Sequence, residues 1–196
     1  MKRLFILALL AMIALPQGGI FATVPQNGSI SGTVIGRIEE GGFKKFSNKS
    51  MVSMTAVPKN LDEFKQLESK VANTPQGAVT MMIVAISVLK ENESEGKRCI
   101  DEICKNSKGS VEALKRSISA HEYYPRYFYK GAQSSNGYTP LSPNRIDVNA
   151  DKASYSVDGQ LTLYVQPGGE KGPMVPVTVK KFGNNYQITD YSHLAL

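Results

Sequence analysis

The stretch from Thr74 to Glu91 limits the fold more than any other part of the chain, because a helix apolar nearly all round must sit at the centre of a domain. Thr74 supplies the N-cap, Pro75 takes the first helical position, and Ala78 to Leu89 is apolar on almost every side. Its polar residues, Gln76, Thr80, Ser87 and Glu91, step along one narrow stripe. Hydroxyls on a core helix ordinarily bond back to their own turn, so the stripe reads as internal bonding rather than a polar pathway. Everything else in the chain must supply layers to cover this helix.

The flanking segments do so in a definite order. Met51 to Val57 alternates and stops at Pro58, a strand pattern. Leu61 to Ala72 places Leu61, Phe64, Leu67 and Val71 at helical spacing, with Asn60 as cap and Asp62 and Glu63 in the first turn. Ser94 to Cys104 and Ser110 to Ala120 read as two further helices separated by Asn106 to Gly109. From Arg145 onward the pattern is that of strands, with Asp158-Gly159 flanked by Val157 and Gln160 as a tight hairpin turn and Gly183-Asn184-Asn185 as a second turn. Helices followed by about four antiparallel strands in a C-terminal meander define an α+β domain, the apolar helix lying on the inner face of the sheet.

The first residues carry an address. Lys2 and Arg3 precede an apolar run from Leu4 to Leu15, then Pro16, Gly18, Gly19 and small Ala22, the pattern of a secretory signal peptide too short to span a bilayer. The chain therefore divides into a leader at 1–22, a tail at 23–50 holding at most one short strand, and a single α+β domain at 51–196. The expected location is the periplasm or the extracellular space, with no transmembrane segment in the mature chain. Losing Lys2 and Arg3 takes the formal charge from +6 to +4, scattered along the chain, which argues against a nucleic-acid partner.

Export makes a disulfide between Cys99 and Cys104 chemically accessible. Inside one helix the two side chains would point about 140° apart; if the helix ends between them the bridge can close. A bridge and two idle thiols both stay open. Zinc would need ligands beyond these and the two histidines, His121 and His193, so no metal or other cofactor is expected. Asp147-Val148-Asn149-Ala150-Asp151 opens like a calcium loop, but Lys152 stands where that loop requires glycine, and turn chemistry accounts for the acids equally well.

Tyr123 to Tyr138 concentrates five of the nine tyrosines together with Arg126 and Lys130. Tyrosine and arginine are what binding surfaces use, flat apolar area with a polar tip beside a planar charge. Tyr124, Arg126, Tyr127, Phe128, Tyr129, Lys130 and Tyr138 are accordingly the candidate ligand-binding residues. The structural alternative has the rings anchoring a long connection onto the helices, with Arg126 tied to a carboxylate or a carbonyl. For catalysis the chain offers no nucleophile elbow, zinc-binding helix or phosphate loop, and no catalytic residue is assigned.

Two of these stretches resemble an uncharacterised bacterial family, a domain of unknown function. They are Thr74-Pro75-Gln76-Gly77-Ala78 and Pro125-Arg126, Phe128, Tyr129, Lys130-Gly131-Ala132 leading to Asn136 and Tyr138-Thr139-Pro140. The resemblance covers about residues 60–192, and Phe128-Tyr129 stands where the family has Tyr-Phe. It implies a bacterial domain without supplying chemistry. The expectation is a non-catalytic binding module for a small molecule or an envelope protein, acting through Tyr123 to Tyr138. The alternatives are a small extracytoplasmic, hydrolase-like enzyme using His121 and the nearby tyrosines, or a structural accessory of the envelope.

Overall fold

The computed structural model describes residues 29–38, 48–155, 158–169 and 171–195. The expected leader at 1–22, much of the tail and Val157 of the expected hairpin lie outside the described residues.

Each helix begins where its cap stands. In α1 (Leu61–Val71) the Asn60 side chain accepts from Glu63 N–H at 2.9 Å, and Phe64, Leu67 and Val71 turn inward. In α2 (Pro75–Glu91) the Thr74 hydroxyl accepts from Gly77 N–H at 3.1 Å, and the buried face covers nearly the whole circumference. Asn92 serves two helices: its N–H closes the last turn of α2 on Val88 O, and its side chain caps α3 (Glu93–Ile103). Ser110 caps α4 (Val111–Ala120). Gly96 of α3 lets the two central helices approach closely, since a Cβ there would lie 2.1 Å from Leu89 Cα.

Among the described residues the sheet has seven strands: β1 (Gly32–Ile35), β2 (Asn48–Met54), β3 (Cys104–Lys108), β4 (Asn144–Ala150), β5 (Gln160–Val165), β6 (Val175–Phe182) and β7 (Asn185–Asp190). They lie in the order β1-β2-β4-β5-β6-β7-β3, antiparallel throughout except for the parallel pair β3 and β7. Val52, Met54, Ile146, Val148, Leu163, Val165, Val177, Val179 and Ile188 face inward and share one core with α2. Their alternates remain half-exposed, so the helices cover a single face. α2 touches β2, β4, β5, β6, β7 and all three other helices.

The expected meander is present as β4 to β7, but it is only the middle of a larger, mixed sheet. The N-terminal half is not purely helical, since β1 and β2 extend the sheet beyond β4. The second strand begins at Asn48 and leaves the sheet after Met54, earlier at both ends than the alternation alone indicates. The segment expected to link α3 and α4 as a loop is instead β3, joined to β7 at Cys104↔Ile188 and Lys108↔Asp190 with an irregularity between. A polar strand at a sheet edge is held by backbone bonds, and no alternation of apolar residues announces it.

Two sequence features that left alternatives open take a definite form in the fold. Cys99 and Cys104 are free thiols: Cys99 is buried on α3, whereas Cys104 begins β3 with its sulfur 3.9 Å from that of Met82. The calcium-like segment is no loop, because Asp147 and Asn149 are outward positions of β4 and Asp151 caps a short 3-10 turn by accepting from Ala153 N–H at 2.8 Å. Among the described residues no cluster of three His, Cys, Asp or Glu could hold a metal ion, and no helix is long and apolar enough to cross a membrane.

Candidate functional site

After α4 the aromatic segment divides between inward and outward residues. Tyr124 and Phe128 enter the core in edge-to-face contact, ring centroids 5.7 Å apart, and Tyr124 Oη donates to Leu194 O at 2.7 Å. Burial pushes the Tyr124 phenol well above its ordinary value. The 3-10 turn Arg126–Phe128 then sets Arg126 and Tyr129 on one side, because side chains three apart eclipse in that geometry. Tyr129 is buried and its Oη lies 2.8 Å from Ser87 Oγ, while Arg126 is exposed.

Tyr129 forms part of the floor of a half-open cavity of about 530 Å³ between the C-terminal end of α2 and the aromatic loop. Val57 and Pro58 wall it on one side and Pro140 on another; Ser87, Lys90, Glu91 and Asn92 come from the end of α2, and Asn144 from the start of β4. Ser87 Oγ donates to Ile83 O at 3.0 Å, the back-bond expected of a hydroxyl on a core helix, so the shared proton with Tyr129 comes from the phenol. Burial pushes the Tyr129 phenol up to about 12, partly offset by the Ser87 bond. The floor is thus polar in composition but internally satisfied.

The rim is charged. Lys59, Lys90 and Arg126 stand in the lining against one carboxylate, Glu91. Lys90 Nζ donates to Glu122 O, and its ammonium is held below the ordinary lysine value first by burial and then by the nearby Arg126 guanidinium, against the pull of Glu91 and Glu122. Among the described residues Arg126 has no carboxylate or side-chain hydrogen-bond partner, in contrast to Lys130, whose ammonium sits 2.7 Å from Asp147 Oδ2. The anchoring reading of the sequence, in which Arg126 is tied down, does not describe this residue.

The loop around the cavity is fixed by its own chemistry. Asn136 donates to Gly131 O at 2.8 Å and Thr139 O at 3.1 Å and accepts from Gln133 and Thr139 N–H, each at 3.1 Å. That staple delivers Pro140 to the wall. On the far side Gly168 packs against the backbone of Tyr129, where a Cβ would meet Tyr129 O at 1.6 Å, and exchanges bonds with Tyr127 O and Gly131 N–H, both at 2.8 Å.

The sequence-predicted residues therefore separate. Arg126 and Tyr129 line the cavity; Tyr124 and Phe128 support it from the core; Lys130 is paired on the outer sheet face. Tyr127 and Tyr138 join Tyr123 and His121 in a half-exposed cluster, with Tyr123 stacked on Tyr138 at 4.7 Å and His121 5.4 Å from Tyr123. His121 closes the last turn of α4 with its N–H and is not among the cavity's lining residues. Lys90, Ser87, Val57 and Asn144 escaped the sequence reading, although the polar stripe of α2 already held Ser87 and Glu91. At the other end of that stripe, Gln76 is buried with its Nε2 donating to Gly36 O at 3.2 Å, beside a second cavity lined by Val34, Arg37, Asn73 and Thr74.

A two-layer α+β domain with a cavity between its buried helix and a stapled aromatic loop defines the class of protein. The chain belongs to the family described as Domain of unknown function (DUF6935), whose model matches residues 56–196. All four helices, β3 to β7 and every residue lining the Arg126 cavity fall within that match, while β1 and β2 precede it. No curated protein and no solved structure matches the chain.

Proposed function

We propose that this is an exported bacterial binding module that takes a small ligand into the cavity beside Arg126. The single observation that carries the reading is the exposed Arg126 guanidinium, without a carboxylate partner among the described residues, at the mouth of an apolar-walled cavity of about 530 Å³. That volume lies within the range of small-molecule sites, which are mostly apolar with a few placed polar groups. Export follows from the leader pattern of Lys2, Arg3 and the apolar run to Leu15.

Binding is favoured over chemistry because the floor hydroxyls are committed to each other and to Ile83 O, and because His121, the histidine of the aromatic segment, stands outside the cavity. The test is a fragment screen followed by nuclear magnetic resonance on labelled protein. Binders should move the amide signals of Val57, Lys59, Lys90 to Asn92, Arg126 and Asn144 together. Shifts confined to residues far from these, or none with any fragment, would refute the assignment of the site.

A further inference from the structure

We infer that the ligand of this cavity is an amphiphilic organic anion, held with its apolar body against Val57, Pro58, Pro140 and the Tyr129 ring and its oxyanion head at the rim between Arg126 and Lys90. The inference rests on the reading of the cavity as the binding site and adds the chemical class of what enters it.

Three observations converge on that class. The floor asks nothing of a ligand's polar groups, since Tyr129 Oη and Ser87 Oγ satisfy one another and Ser87 also donates to Ile83 O. A charged head placed there would lose water without finding a partner, so the inner part of the cavity suits an apolar body. The lining carries three cations against a single carboxylate, and two of the cations, Lys90 and Arg126, come from different elements. Lys90 is held below the ordinary lysine value first by burial and then by the Arg126 guanidinium, and the opposing pull of Glu91 and Glu122 does not cancel the two. An anion between them relieves that repulsion and offers the guanidinium fork the planar, two-oxygen partner it fits best.

A cation or a neutral polar ligand meets the opposite situation. An ammonium head would add a further like charge to the rim, and a hydroxyl would use only one of the Arg126 donors. The bond from Lys90 Nζ to Glu122 O holds the ammonium in place at the rim.

Isothermal titration of the purified protein with four probes of one chain length separates these cases: octanoate, octyl phosphate, 1-octanol and octylammonium. Octanoate or octyl phosphate should bind at least tenfold more tightly than octanol, with octylammonium weakest; whichever anion is tighter names the head. In Arg126→Ala the anion should lose at least tenfold in affinity while octanol is unchanged, and Arg126→Lys should recover only part of the loss because it restores charge without the fork. Octylammonium binding as tightly as the anions, or Arg126→Ala leaving the anions unaffected, would overturn the inference and leave the cavity reading standing if octanol still binds. Silence with all four probes would remove the cavity reading itself, and this inference with it.

Discussion

Gly96→Ala turns intrinsic propensity and packing against each other at one position. In an isolated helix alanine is favoured over glycine by about 1 kcal/mol, so propensity alone predicts a more stable protein. The structure predicts the reverse. A Cβ at Gly96 would sit 2.1 Å from Leu89 Cα, 2.3 Å from Leu89 N and 2.6 Å from Leu89 Cβ, where ordinary contact begins near 3.4 Å. The obstacle is the backbone of α2, which has no rotamer to change, and α2 is pinned against five strands and three helices. Helix α3 must therefore move away by about 1 Å, opening the contacts of Cys99, Ile100 and Ile103 with the core. Overpacking of this kind costs about 1–3 kcal/mol, and a backbone obstacle places it at the upper end. After the propensity gain the net loss is roughly 2 kcal/mol, which for a chain of this size lowers the melting temperature by about 4–8 °C. Thermal melting followed by circular dichroism measures it, with Ser94→Ala, an exposed change on the same helix, as a control expected to stay within about 0.5 kcal/mol. A Gly96→Ala protein melting at or above wild type would show that α2 and α3 do not approach this closely.

Other groups make separate predictions. Burial between α1 and α3, and the neighbouring Glu102 carboxylate, raise the Glu68 carboxyl to about 7 against the opposing pull of Lys65. The folded state then holds a proton that the unfolded chain has released, so stability falls as pH rises from about 4.5 through 7. Glu68→Gln should flatten that slope, by on the order of 1 kcal/mol after screening at a partly exposed site, and urea unfolding at pH 5 and pH 8 with parallel slopes in both proteins would refute it. Burial pushes the Cys99 and Cys104 thiols up to about 12, so neither should react with a thiol reagent in the native protein, and both should titrate after unfolding without reductant. An unfolded chain that titrates no thiol would establish a bridge. Tyr124→Phe removes the bond to Leu194 O and should cost about 1 kcal/mol, with faster amide exchange at Ser192 to Leu194; unchanged melting and exchange would show the bond to be idle. Arg126→Ala, by contrast, should melt within about 2 °C of wild type, because an exposed guanidinium without a partner contributes little to folding; a larger drop in a melting curve would mean that Arg126 is structural.

Local signals in the sequence were reliable where one residue's chemistry decides the outcome. Asn60, Thr74 and Ser110 were readable as helix starts because a cap acts within three residues, and the strands after Arg145 were readable because one face of each is apolar. Asn48 to Ser50 and Cys104 to Lys108 were not, since Asn48, Lys49, Ser50, Lys105, Asn106, Ser107 and Lys108 are polar and become strands only through partners distant in the chain. The site shows the same division. Arg126 and Tyr129 could be picked from composition alone, whereas Val57, Lys90 and Asn144 join them only because the connection from β2 to α1, the end of α2 and the start of β4 meet at one corner. Tyr124 and Phe128 resemble their neighbours in sequence, and only the successive turns from Glu122 to Phe128 send them inward.

The parallel pairing of β3 with β7 has a consequence for how the chain is made. Cys104 finds its partner in Ile188, and Tyr191, whose ring packs against Gly109, donates its N–H to Lys108 O at 2.8 Å. A ribosome that has produced helices α1 to α4 has made only β1, β2 and β3 of the described sheet, and β3 still lacks its neighbour β7. Such a chain reaches its native state only after the residues around Asn185 to Asp190 are released, and contacts this far apart in sequence form late. In this fold the strand that completes the sheet is among the last parts of the chain to become available.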